Sequence, residues 1–442
     1  MQSWLLIASF AATLSFYGHN TSAHAQANKA FIEPAKPSIG EWPNWRGPNQ
    51  DGISTEGKLI DSWPETGPET LWKRELGGGF SSVVVSRGRI VTLSKQDTQE
   101  TIECYDAWNG DPLWEVKYAG NYDKHPGLDE RFRYSGPRST PTIDGNRLYV
   151  IATTGTLRCL DVRNGDVLWQ QDILELAGHP LQSFGYCASP LIVGDLLLIQ
   201  PGGTKGNSIA AFEKINGNIV WLKHDFPIGY ATPLAIEHAG ETQIVFFTGA
   251  AVVGLSPQNG KLFWQFPWQT NQYQNIAAPI YFDGKLYISS ATIHNPDGGV
   301  LLRLQENANP EVIWKSKLMA NWYASSILYK GHLFGFSGMR LRTVEFESGT
   351  RKWDQTGLGQ GSLIIADDHL IVLSQHGELV LAEARTDQYK ELARWNAFEP
   401  PQEPALLTAK YRGVFSVPVL AGGILYLRDQ WRLLAVDLRD RS

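Results

Sequence analysis

The sequence predicts an all-β fold, an eight-bladed β-propeller with four-stranded antiparallel blades, and three observations carry the prediction. One template recurs along the chain and closes on a tryptophan each time: Trp114, Trp169, Trp221, Trp264, Trp314, Trp353 and Trp395, spaced 39 to 55 residues apart. Within each copy, short β-prone runs alternate with Asp-Gly, Asn-Gly and similar pairs, which tolerate positive φ and favour tight hairpins. The composition agrees, with 43 Gly, 24 Pro and 11% aromatic residues among 442, as suits a turn-rich β protein. A period of about 40–50 residues with four strands in each is the signature of a propeller.

The clearest copy is 139–169. Its strands are predicted at 139–143, 147–153, 156–161 and from 167 onward, separated by Asp144-Gly145, Thr154-Gly155 and Asn164-Gly165. A sheet this small leaves both faces wet by itself, so it requires neighbours of the same kind. They lie at 81–114, 188–221, 231–264, 277–314, 324–353, 361–395 and 416–438. The eighth copy stops before its tryptophan, and a stray strand, Glu69 to Leu76 with Trp72, precedes the first copy. Pairing that strand with the last copy closes the ring and removes an exposed edge. Trp72 then joins the other seven as a docking residue, its ring slotted between blades and its indole N–H on a backbone carbonyl. Seven blades with an unrelated tail is the alternative.

The motif Asp161-x-x-x-Gly165-x-x-x-Trp169 resembles the tryptophan-docking repeat of the pyrroloquinoline quinone (PQQ) propellers. Trp45-Arg46-Gly47-Pro48 and Gly136-Pro137-Arg138 are similar to segments of exported PQQ-like repeat proteins. The resemblance covers residues 42–438. It implies one of two activities, because the family holds quinoprotein dehydrogenases as well as non-catalytic scaffolds such as BamB. The dehydrogenases carry adjacent bridged cysteines over the quinone and a calcium held by Glu, Asn and Asp. This chain has neither a Cys-Cys pair nor a cage-like run of carboxylates, so the resemblance favours the scaffold.

A formal charge of −6 with no basic run excludes a phosphate-tracking surface and hence nucleic acid as a partner. Residues 1–25 read as a signal peptide, with an apolar core at 5–17 and an Ala23-His24-Ala25 cleavage site. That run is too short for a transmembrane segment, and no later one reaches the length. The organisation expected is signal peptide 1–25, an N-terminal arm 26–68 and the propeller 69–442. No cysteine follows the apolar core, so no lipid anchor is expected. The protein is expected to be exported, to the periplasm or beyond the cell, and monomeric. Cys104 and Cys159 hold equivalent places in adjacent copies. Sheets about 10 Å apart exceed the reach of a disulfide, so free buried thiols are expected.

Function is expected where segments break the template, in the lead-ins to each first strand at one channel mouth. Arg133, Tyr134 and Arg138 precede the second blade, Tyr186 the third, Tyr230 the fourth, and Asn275 the fifth. Trp322 and Tyr323 precede the sixth, and Gln360 the seventh. Aromatic and Arg side chains converging there suit a small planar or anionic ligand; equally, they suit a plug that satisfies itself. Arg46 reads either as an anion contact or as a structural donor to loop carbonyls. Other enzyme signatures fail. Gly202 to Gly206 opens no helix, so it is no P-loop. His369 and His376 lack a third zinc ligand. Ser139, Ser189 and Ser416 recur as repeat residues rather than as nucleophiles. The expected activity is binding or scaffolding in the cell envelope through protein partners, with no catalytic residue and no metal assigned. The first alternative is a PQQ-dependent oxidoreductase of alcohols or sugars, with PQQ and a divalent cation at the mouth. The second is a polysaccharide- or peptide-binding propeller.

Overall fold

The structure is a computed structural model that describes residues 40–120, 136–270, 273–292, 297–399 and 413–441. The signal-peptide reading, Arg133 and Tyr134 lie outside the described residues.

Eight four-stranded antiparallel sheets follow one another around a ring. The first contains Val84–Ser86, Arg89–Gln96, Gln99–Asp106 and Pro112–Ala119. The second, predicted best, contains Thr142–Asp144, Arg147–Ile151, Thr156–Asp161 and Val167–Asp172. The next five span 191–223, 234–267, 280–316, 327–355 and 362–396. The eighth is composite: Val419–Ala421, Ile424–Arg428 and Arg432–Asp437 come from the end of the chain, and Thr70–Glu75 from its beginning. Thr70–Glu75 pairs antiparallel with Arg432–Asp437, placing Trp72 opposite Ala435. The ring therefore closes as the repeat count requires, with eight blades and no separate tail.

Sequence explains the common blade geometry. Asp161 accepts the backbone N–H of Arg163 at 2.9 Å and so starts the turn before the outer strand. Gly165 completes that turn at φ 80°. A Cβ there would lie 2.7 Å from the Trp114 ring of the preceding blade, so this glycine is required twice over. A bulge follows, between Cys159 and Leu160, and it sets Trp169 opposite Cys159. Trp72, Trp114, Trp169, Trp221, Trp314 and Trp353 donate their indole N–H to Ala107, Val162, Lys214, Pro257, Phe346 and Arg385 carbonyls, each in the next blade.

Two tryptophans depart from this pattern. Trp264 stays in its own blade, where Nε1 donates to Gln243 at 2.7 Å. In the seventh blade Ala393 takes the position opposite Leu381 that precedes the bulge, and Trp395 stands two residues further on, opposite Leu379. Trp395 packs against Gly67, where a Cβ would come within 2.3 Å of the ring.

The arm crosses the lower mouth, where the tight turns between first and second strands lie. Trp42 pairs with Val85 of blade 1, and Pro43 accepts the Ile143 N–H of blade 2 at 2.9 Å. Ile53 bridges to Ile365 of blade 7. Glu56 accepts the N–H groups of Gly422 and Gly423 in blade 8, both at 2.7 Å. Arg46 is 5% exposed and donates to Gln50, Asp51 and Ser326 carbonyls at 3.2, 2.7 and 2.7 Å, the last in blade 6. Burial lowers its pKa to about 10, with Asp51 opposing that shift. The largest apolar cluster joins Trp42, Leu59 and Trp72 of the arm and first strand to Ile364, Tyr426 and Leu434 of blades 7 and 8. Cys104, Cys159 and Cys187 are free.

Candidate functional site

The upper mouth is the end at which the first strands begin. Side-chain hydroxyls link successive blades there. The Ser82 N–H donates to Thr140 Oγ1, the Thr140 N–H to Ser189 Oγ, and the Ser189 N–H to Thr232 Oγ1, each one blade onward, at 3.0–3.2 Å. The Ala278 N–H donates likewise to Ser325 Oγ at 2.9 Å. The recurring serines of the template are thus fasteners between blades.

Above those links the lead-in segments contact one another in a closed circle, through side chains and one backbone bond. The Arg138 guanidinium stands 5.8 Å over the Phe80 ring and 6.0 Å over Phe184, within cation–π range. Phe184 meets Tyr230 edge-on, with centroids 5.4 Å apart. The Tyr230 N–H donates to the Asn275 carbonyl at 2.8 Å. Trp322 Nε1 donates to the side-chain carbonyl of Gln274 at 3.0 Å. Tyr323 lies 5.0 Å from Trp322 and donates its hydroxyl to Gln360 Oε1 at 2.8 Å. Tyr323 then meets Phe415 at a tilt, with centroids 4.5 Å apart, and Phe415 meets Phe80 at 5.7 Å. Each blade contributes to this circle.

The residues singled out from sequence fall into two groups. Arg138, Tyr230, Trp322, Tyr323 and Gln360 are members of the circle. Tyr186 and Asn275 are built into the blades beneath it. Tyr186 donates its hydroxyl to the Pro201 carbonyl at 3.0 Å and belongs to an apolar core; Phe184 holds the mouth position in its place. Asn275 is fully buried. Its Nδ2 donates to Thr248 and Trp268 carbonyls at 2.7 and 3.2 Å, and its Oδ1 accepts from Thr270 and Ser290. Phe80 and Phe415 were not read from sequence. A positional signal existed, since Phe80, Arg138, Tyr230, Tyr323, Gln360 and Phe415 each immediately precede the small residue that opens the blade.

Burial pushes the Tyr230 and Tyr323 phenols well above their ordinary range, so both remain donors at neutral pH. Burial likewise raises the Cys187 thiol to about 11, against the pull of Arg138, which leaves it a poor nucleophile. A cavity of about 10 Å³ beside Tyr186, Cys187, Ser189 and Gln200 has room for one water. Among the described residues no group of three or more His, Cys, Asp or Glu is placed to hold a metal ion.

Such a ring of docked four-stranded blades defines the class: a PQQ-like repeat propeller. The profile of the family described as outer membrane protein assembly factor BamB matches residues 56–221 and 98–293, together more than half of the chain, and the chain belongs to that family. BamB of Shewanella oneidensis is 21% identical over 393 residues, which span 84% of this chain and 88% of that protein. Among solved structures, BamB from Moraxella catarrhalis superposes with a TM-score of 0.58 at 14% identity, covering 84% of this chain and 99% of that one. Quinohemoprotein alcohol dehydrogenase from Comamonas testosteroni superposes with a TM-score of 0.65 at 12% identity, covering 91% and 81%. At these identities the structural likenesses establish the propeller alone. No helix among the described residues is long and apolar enough to cross a membrane.

Proposed function

We propose that this protein is an exported binding propeller of the cell envelope, a scaffold that holds protein partners as the name of its BamB relatives suggests for them. The observation that carries the reading is the closed circle at the upper mouth. There Trp322, Tyr323 and Gln360 have their polar atoms engaged with one another or with Gln274. PQQ would need a flat slot with donors for three carboxylates. The described mouth residues do not fit it, because Asn275 is fully bonded inside the fold and the aromatic rings lie against each other. The circle offers instead a rim of aromatic rings, half-exposed except for buried Tyr230, with one cation, Arg138, among them. Aromatic residues and Arg of this kind anchor protein interfaces.

The test is a titration of the purified protein with PQQ, with and without calcium, following tryptophan fluorescence and then dye-coupled alcohol oxidation. The scaffold reading expects neither saturable quenching nor turnover. Saturable quenching with turnover would replace it by a quinoprotein oxidoreductase.

A further inference from the structure

The outer edge of blade 1 is complementary to itself. The outer strand of a blade pairs on one side only, and its other side presents unpaired backbone N–H and C=O groups. In blade 1 this strand, Pro112–Ala119, pairs with Gln99–Asp106 alone. It runs eight residues, against five or six in the outer strand of every other blade. Its side chains alternate between two faces. Trp114, Val116 and Tyr118 are half-buried against blade 2, whereas Leu113, Glu115, Lys117 and Ala119 are exposed. Leu113 is an apolar side chain left 45% open to water. Glu115 and Lys117 pair with each other at 2.7 Å, and neither has a second partner among the described residues.

Charges on an edge strand oppose pairing with most other strands, but they favour a register in which each meets its opposite. Such a register exists when a second copy of Pro112–Ala119 lies antiparallel beside the first, with Val116 opposite Val116 of the partner subunit. On the exposed face Glu115 then faces Lys117 of the partner subunit, Lys117 faces Glu115 of the partner subunit, and Leu113 faces Ala119 of the partner subunit. On the half-buried face Trp114 lies opposite Tyr118 of the partner subunit. Opposite charges and paired aromatic rings are the favourable cross-strand neighbours. A two-fold axis makes every such contact twice. The neighbouring registers lose this match. Centring the pair on Glu115 or on Lys117 sets like charges against each other. Centring it between two residues joins the half-buried face of one copy to the exposed face of the other.

We propose that the outer edge of blade 1 docks a second copy of this chain, joining two propellers through Pro112–Ala119 about Val116. The dimer replaces the monomer expected from sequence. It uses no residue of the upper mouth, so its test is independent of the scaffold reading. The measurement is sedimentation equilibrium of the purified protein over a concentration series, at low ionic strength, where the paired charges are least screened. A reversible monomer–dimer equilibrium is expected. Glu115→Lys sets lysine against lysine in both symmetry-related pairs, and Lys117→Glu sets glutamate against glutamate. Each variant alone is expected to raise the dimer dissociation constant about tenfold. An equimolar mixture of the two is expected to recover wild-type association, because in the mixed dimer every charge again meets its opposite. The double variant Glu115→Lys/Lys117→Glu is expected to recover it as well. Both side chains are exposed, so all three variants are expected to melt as wild type does. A wild type that stays monomeric to its solubility limit would overturn the proposal. So would single variants that dimerise as tightly as wild type, or a mixture and a double variant no tighter than the singles.

Discussion

The two mouths of one channel are closed by different chemistry. At the lower mouth the arm adds backbone to backbone: Trp42 on Val85, Ile53 on Ile365, Glu56 on the Gly422-Gly423 turn. Arg46 is buried across the gap with three carbonyl partners. The upper mouth has no such strand among the described residues. It is closed by half-exposed rings and single hydrogen bonds between lead-in segments. Backbone pairing and buried charge fix one geometry, whereas side chains on loops can rearrange around a partner. The lower mouth is thus placed to hold the ring together, and under the scaffold reading proposed above the upper mouth is where a partner would be recognised.

The sharpest way to break this contrast is to remove the arm. Deleting residues 28–76 takes away the outer strand of blade 8, exposes the edge of Arg432–Asp437 and strips Trp42 and Trp72 from the largest core. Loss of cooperative unfolding in calorimetry is expected. A variant that melts like wild type would show that the arm is ornament. Trp169→Ala gives the scale for an ordinary blade junction. It empties the space over Gly217 and forfeits the bond to Lys214, and a loss of about 3 kcal/mol is expected in denaturant unfolding.

Arg46→Ala tests the lower mouth by a single side chain. It leaves the Ser326 carbonyl without its charged donor inside the channel, and a comparable loss, about 2–3 kcal/mol, is expected. A surface-like effect near zero would mean the arm's backbone alone holds the plug.

Acid provides the next, smaller measure, in the composite eighth blade. Burial pushes the Asp437 carboxyl up, but its bonds to Arg439 and Arg441 outweigh that and hold it at about 2. A depressed carboxyl pKa contributes stability that is fully present above the unfolded value, about 3.9. That contribution is lost as pH falls from there through about 2. Melting temperature is expected to decline over that window in wild type, and the decline to be shallower in Asp437→Asn. Identical acid limbs would remove Asp437 from the closure.

Much of this architecture was legible because it rests on local chemistry. Turn pairs such as Asn164-Gly165 and closing tryptophans such as Trp169 act within one hairpin, so the sequence displays them directly. The exceptions arise between blades. Trp395 looks like its fellows in the chain, but Ala393 is the residue that stands before the bulge between Leu381 and Ala382, and Trp395 comes two residues further on. Asn275 and Tyr186 were reasonable mouth candidates by chain position, yet their partners, Thr248 and Pro201, are set by packing of neighbouring segments. The unpaired Nε and Nη2 of buried Arg428 were beyond sequence reasoning altogether. An unpaired donor is a property of the assembled seam, not of any motif.

The smallest effect is expected where the contrast matters most. Tyr323→Phe removes one hydroxyl from the upper circle, freeing Gln360 but keeping the ring on Phe415. Both partners are half-exposed, so water can replace the lost bond. A stability change of about 0.5–1 kcal/mol or less is expected. The same variant should alter partner binding more than it alters folding, because an aromatic anchor with its hydroxyl removed changes the rim that a partner meets. If Tyr323→Phe instead destabilised the protein as much as Arg46→Ala, the upper circle would be a structural plug like the lower one. Recognition would then have to move to the blade edges.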